Sequence, residues 1–130
     1  MRLLLDTCVA VWLLDQYEKI PEPIVRKLVD TEFSLYISHV SNIELAIKFS
    51  KGRLDWAQPP SQIFPKLMEQ MSIEPLSIDS GTIELFEGLP YHHNDPFDRL
   101  LIGQAIAHNL TIVTPDSMFL KYSVPVLWEK

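Results

Sequence analysis

Four carboxylates in this 130-residue chain stand where a local element begins or ends: Asp6, Glu44, Asp98 and Asp116. Gathered in one cleft, they would repel one another and resist ionisation. Divalent cations relieve that conflict, and oxygen-only donors suit Mg²⁺ or Mn²⁺. The histidines are scattered and Cys8 is the single cysteine, so no zinc set is offered. One or two hard cations bind a scissile phosphate, lower the pKa of a bound water and stabilise the leaving oxygen, which amounts to phosphoryl transfer to water. In such a site Asp6 and Asp98 are direct or water-mediated ligands. Glu44 holds a second ion or orients the attacking water, and Asp116 completes the ring. Thr7 and Thr114 carry hydroxyls able to hydrogen-bond a bound water or phosphate.

The elements must bring these residues together. Residues 3–5 are a short apolar run, too short for a helix, and read as a strand followed by a helical pattern from Val9. Pro21-Glu22-Pro23 opens a second helix whose apolar positions Ile24, Val25, Leu28 and Val29 keep helical spacing. Residues 34–38 form the next strand. Ser41-Asn42-Ile43-Glu44 is a capping-box pattern that opens a helix running to about Phe49, and Gly52 ends it. Pro59-Pro60 is a break, residues 63–71 a helix with Pro65 near its start, and residues 73–78 a strand that Pro75 confines to an edge or an end. A short helix over 82–87 follows Asp79-Ser80-Gly81. Asp95-Pro96-Phe97-Asp98 is the clearest helix start, with Asp95 as N-cap and Pro96 in the first helical position. The helix over 97–108 is apolar on most sides, which predicts burial. Residues 111–114 form a strand, Pro115-Asp116 a turn, and 124–128 a last strand. Strands alternating with helices specify an α/β domain with a mostly parallel sheet.

Asp6 and Asp116 follow strands, so both occupy carboxyl ends. Glu44 and Asp98 lie in first turns of helices, and such helices start near the carboxyl edge of the preceding strand. That edge is where open α/β sheets bind ligands. Each acid also has a plain structural explanation: Glu44 as capping-box partner, Asp98 as a helix-dipole acid, Asp116 as a turn residue, Asp6 as a cap. Four capping acids need not share an edge, however, and their joint placement favours the cation site.

The net charge of −6 argues against a protein held on nucleic acid mainly by a basic surface. Acids concentrated in a metal-binding cleft lower the net charge and still face phosphate once cations are bound. The 47% apolar content supports a sizeable core, the length fits a single domain over residues 1–130, and no repeat or linker interrupts it. The longest apolar run, residues 8–14, falls far short of the ~20 residues that span a bilayer. Leu3-Leu4-Leu5-Asp6 places an acid where a secretory leader needs its apolar core, and a lone cysteine asks for no oxidising compartment. A cytoplasmic protein is expected.

Leu4-Leu5-Asp6-Thr7, the helix with Glu44, Asp95-Pro96-Phe97-Asp98-Arg99-Leu100-Leu101-Ile102 and Thr114-Pro115-Asp116 together resemble the PIN-domain ribonucleases, and more narrowly the VapC-type toxins of bacterial toxin–antitoxin pairs. The resemblance covers nearly the whole chain. It implies a three-layer α/β/α fold with a mostly parallel central sheet, with the family's acids at Asp6, Glu44, Asp98 and Asp116. It also implies Mg²⁺ or Mn²⁺, single-stranded or loop RNA as substrate, a homodimer, and inhibition by a cognate antitoxin. Cys8 is a departure, because close relatives often carry His after Leu-Leu-Asp-Thr.

Other residues divide between structure and site. Lys48, Lys51 and Arg53 suit a helix C-terminus and RNA phosphate equally. Arg99 is a supporting candidate for phosphate or antitoxin, although an ion pair with a neighbouring acid is the better expectation. His92 and His93 read as loop structure, Asp95 as a cap, Cys8 as a small buried apolar residue, and Trp12, Trp56, Phe64 and Phe86 as core or interface. A receiver-like phosphoacceptor is disfavoured, since Asp6 has no acidic partner after its strand and Thr114-Pro115-Asp116 offers no lysine. A non-catalytic module that binds RNA or protein on the same scaffold is the remaining rival.

Overall fold

Leu3, Leu4 and Leu5 are consecutive, and all three are buried. Only a strand covered on both faces buries every residue of such a run. In the computed structural model, which describes residues 1–129, this strand is β1 (Arg2–Leu5), the centre of a five-stranded sheet. The others are β2 (Ser34–Ser38), β3 (Ile73–Leu76), β4 (Thr111–Val113) and β5 (Val126–Leu127), in the order β3-β2-β1-β4-β5. Every pairing is parallel, with Leu3 opposite Leu35 and Leu4 opposite Ile112. Pro75 sits in the edge strand β3, where its missing N–H breaks no inner ladder.

Side-chain alternation along the strands builds two cores. Leu3 and Leu5 join Leu35, Ile37 and Val113 beneath α1 (Thr7–Asp15), α2 (Glu22–Val29) and α4 (Pro60–Met71). Leu4 and Ile112 face the other way, onto Leu101, Ile102 and Ala105 of α6 (Pro96–His108). α3 (His39–Ser50) contributes Leu45 to the first core and Val40 to the second. The result is the three-layer α/β/α arrangement. α5 (Ser80–Gly88) packs on α6 so closely that a Cβ on Gly103 would lie 3.1 Å from the Thr82 carbonyl oxygen.

Several boundaries differ from those expected. α3 starts at His39 because Ser38, at the end of β2, accepts from the Val40 N–H at 2.9 Å and so caps the helix. Ser41 is therefore inside the helix, the capping box with Glu44 is not formed, and Glu44 lies in the second turn. α1 begins directly after Asp6, and α4 begins at Pro60, so Pro59-Pro60 launches that helix instead of separating segments. Two 3-10 turns, Tyr17–Lys19 and Ser117–Lys121, were not expected; single turns carry no hydrophobic period. Gly52 does end α3. Its φ of 68° lets the Arg53 N–H reach the Lys48 carbonyl at 2.9 Å, a Schellman closure that turns Arg53 back beside the helix.

The strand order decides where a ligand fits. From β1 the chain runs to β2 and β3 on one side, then returns to β4 and β5 on the other. The reversal lies between β1 and β4, and a crevice opens beyond their carboxyl ends.

Candidate active site at the β1–β4 carboxyl edge

Asp6 leaves β1 with its backbone N–H bonded to the Val113 carbonyl of β4 at 3.0 Å, so it stands at the switch point. Its Oδ1 accepts from the Thr7 N–H at 2.7 Å, as the cap of α1. Its Oδ2 accepts from the Thr114 hydroxyl at 2.7 Å and from the Cys8 thiol at 3.5 Å. Despite these donors its pKa is raised, because burial to 6% exposure outweighs them and the Glu44 charge adds to it.

Asp98 is the third residue of α6, and its N–H bonds the Asp95 carboxylate at 3.2 Å. Asp95 thus performs the capping role read from the sequence. The Asp98 carboxyl is pushed up to about 8, first by burial and then by the charges of Asp6, Asp95, Glu44 and Asp116. Glu44 reaches the crevice from α3, with Lys48 one turn on at 3.6 Å. Asp116 is exposed and caps the 3-10 turn, accepting from the Met118 N–H at 2.9 Å.

All four acids line one cleft of ≈ 410 Å³, together with Thr7, Cys8, Trp12, Lys48 and Arg53. A larger hollow, ≈ 810 Å³, lies between the ends of α2 and α4 and the start of β2, and none of the four acids reaches it. The mutual charge repulsion, not the volume, identifies the chemical site.

The donor set fits a hard divalent cation, since it is all carboxylate oxygen, with the pKa values of the buried Asp6 and the half-buried Asp98 both raised. Among the described residues no group of three or more His, Cys, Asp or Glu side chains is close enough to hold a metal ion by itself. Mg²⁺ keeps several waters and takes one or two carboxylates along with phosphate oxygens, a demand that Asp6 and Asp98 could meet. Lys48 and Arg53 on the same cleft, and Lys51 on the adjoining hollow, give a cationic wall beside the acids.

The supporting residues depart from expectation. Thr114 spends its hydroxyl on Asp6 and accepts from the Asp116 N–H at 3.1 Å, so it orients two acids instead of meeting a ligand directly. The Thr7 hydroxyl pairs with Ser41 at 2.8 Å, which ties α1 to α3. Arg99 is 2% exposed and makes neither the expected ion pair nor a contact with the cleft. It donates to the Pro90 and Leu89 carbonyls and to Tyr122, with its guanidinium carbon 3.8 Å from the Tyr91 ring centroid. Cys8 is only half-buried and touches Asp6, so it is more than core filling. Sequence reasoning placed His93 in loop structure, yet its Nε2 lies 3.3 Å from Asp98 Oδ2. The signal was its position on the short Pro-flanked loop that feeds the Asp95 cap.

Comparison with known proteins agrees with this fold. A search of curated proteins gives no match. Among solved structures, the fold is similar to VapBC2 from Rickettsia felis bound to a DNA fragment from its promoter, with TM-score 0.73, 20% identity and 98% of each chain covered. It is also similar to VapBC-1 from nontypeable Haemophilus influenzae (TM-score 0.68, 19% identity, 98% of this chain and 97% of that one). A third is VapBC-5 from Mycobacterium tuberculosis, a member of the VapBC family of toxin–antitoxin systems (TM-score 0.61, 18% identity, 97% of each). At such identities the likeness is one of fold. Residues 3–125 match the PIN domain family, a span that runs from β1 through the segment before β5 and holds all four acids, and on that match the chain belongs to the PIN domain family.

Proposed function

We propose that this chain is a Mg²⁺- or Mn²⁺-dependent endoribonuclease, a VapC-type toxin neutralised by a cognate antitoxin. One observation carries the reading: Asp6, Glu44, Asp98 and Asp116 share one cleft, and even with Lys48 beside Glu44, burial and crowding push Asp98 up to about 8. A protein gains nothing structurally from that repulsion, and a bound cation removes it. Held by these carboxylates, a divalent ion would supply Lewis-acid stabilisation of phosphate charge and ease deprotonation of a water.

The chain's own residues do the rest. Asp6, fixed by Thr7, Cys8 and Thr114, and Asp98, fixed by α6, present the ligand oxygens. Glu44 or Asp116 takes the second position and orients the attacking water. Lys48, Lys51 and Arg53 hold flanking phosphates, and the PIN resemblance supports single-stranded or looped RNA as the substrate. The VapBC neighbours support an antitoxin partner, and the PIN resemblance supports a homodimer and a cytoplasmic setting. No described helix is long and apolar enough to cross a membrane. The rival is a non-catalytic module that holds RNA or protein in this cleft, with Lys48, Lys51 and Arg53 as its phosphate contacts.

Incubating antitoxin-free protein with total cellular RNA separates the two. Discrete cuts that need Mg²⁺ or Mn²⁺, stop with EDTA and vanish in Asp98→Asn are expected. Folded protein that binds RNA without cutting it under any of these conditions decides for the binding module.

A further inference from the structure

A directed chain of hydrogen bonds stands behind Asp98. Arg99 Nη1 lies 3.2 Å from Tyr122 Oη, Tyr122 Oη lies 2.7 Å from His93 Nδ1, and His93 Nε2 lies 3.3 Å from Asp98 Oδ2. A guanidinium only donates, so Arg99 occupies a lone pair on the tyrosine oxygen. Tyr122 is 5% exposed, and among the described residues His93 Nδ1 is the acceptor its hydroxyl hydrogen reaches. An imidazole that accepts at Nδ1 carries its hydrogen on Nε2, which faces Asp98.

The same arginine anchors the loop that carries the histidine. It holds the Leu89 and Pro90 carbonyls at 3.2 and 2.8 Å, while the His93 ring stands edge-on to Tyr122 at 5.4 Å. The residue next to Asp98 in the helix therefore fixes the partner of Asp98 in the loop.

We propose that His93 is a positioning residue for Asp98: held as the Nε2–H tautomer by Tyr122 and Arg99, it donates to Oδ2 and leaves Oδ1 free to ligate a cation. The inference rests on the metal-dependent reading above. Partners of this kind, hydrogen-bonded to a ligating carboxylate, are worth about 10–100-fold in metal affinity.

Two measurements on the full chain test it. ¹⁵N NMR of histidine-labelled, metal-free protein is expected to find the neutral His93 ring carrying its hydrogen on Nε2 and bare at Nδ1; an Nδ1–H tautomer overturns the proposal. Mn²⁺ titration followed by electron paramagnetic resonance is expected to show His93→Leu binding about 10–100-fold more weakly. His93→Gln, whose amide can donate to Asp98 and accept from Tyr122, is expected to recover most of that loss. Thermal melts check that each variant folds, and Tyr122→Phe, which frees the tautomer without touching His93, gives a second route to a smaller loss. Equal Mn²⁺ affinity in wild type, His93→Leu and Tyr122→Phe overturns the positioning role and leaves the metal site standing. A wild-type protein that binds no Mn²⁺ overturns the metal reading and the inference together.

Discussion

Asp98 and Arg99 are adjacent and oppositely charged, yet they face different surroundings and are linked through Tyr122 and His93 instead of pairing with each other. On the cleft side, Asp98 faces Asp6, Glu44 and Asp116, and its carboxyl is held up at about 8. On the other side of the same helical turn, Arg99 is buried among the Leu89 and Pro90 carbonyls, Tyr122 and the Tyr91 ring, with no carboxylate partner among the described residues. Successive residues on a helix point about 100° apart, so the chain can place a charge in each region without letting them neutralise each other. The acid side is left needing a cation from outside, while the arginine side is satisfied from within. A charge that the fold satisfies is structural; a charge that the fold leaves in conflict marks the site.

The largest effect that sharpens this contrast comes from Asp98→Asn. It is expected to lower metal-dependent RNA cleavage by about 10³-fold or more, about 4 kcal/mol of transition-state stabilisation. Metal-free stability should hold or rise, because one of the mutually repelling charges is gone. Rate assays beside urea melts check both halves, and wild-type rates in the variant break the contrast on its acid side.

A pH series comes next. Asp98 and Asp6 both have folded pKa values above the ordinary carboxyl value, so the folded protein retains protons that the unfolded chain has released. Metal-free stability is therefore highest near the unfolded value of about 4 and falls as pH climbs to about 8. For Asp98, part-exposed and screened by solvent, the decline is on the order of 2–3 kcal/mol. Saturating Mg²⁺ and Asp98→Asn should each flatten it. Parallel stability curves for wild type and Asp98→Asn remove the electrostatic argument.

Arg99→Met probes the opposite side. Two carbonyls and the Tyr122 hydroxyl lose their donor in a dry site, at an expected cost of roughly 2–3 kcal/mol. Urea denaturation reads it, and a near-neutral result shows that the arginine is not a structural tie.

Thr114→Val is the mildest change, about 1 kcal/mol in stability. Because the threonine hydroxyl lowers the Asp6 pKa, its loss should raise that pKa further. Carboxyl ¹³C NMR of Asp6 across pH gives the direction, and an unmoved or lowered value contradicts the geometry.

The sequence by itself determined the periodic and punctuated features. The apolar run of β1 dictated a strand, Pro75 an edge or a strand end, Asp95-Pro96 the start of α6, and Gly52 the end of α3. It also put the four acids at the carboxyl edge, because that placement follows from connectivity in a parallel α/β sheet. What it misjudged depended on partners distant along the chain. Ser41 looked like a cap until Ser38 took that role, and Ser41 then bonded Thr7, 34 residues away. Arg99 looked like an ion-pairing residue, and no local pattern specified that Tyr122 would lie behind it. His93 became a partner of Asp98 only when that tyrosine and that arginine fixed its ring. Local propensity and hydrophobic period act over a few residues, whereas the orientation of a polar side chain in a dry site is set by whichever donors and acceptors the packed fold brings within 3 Å or so.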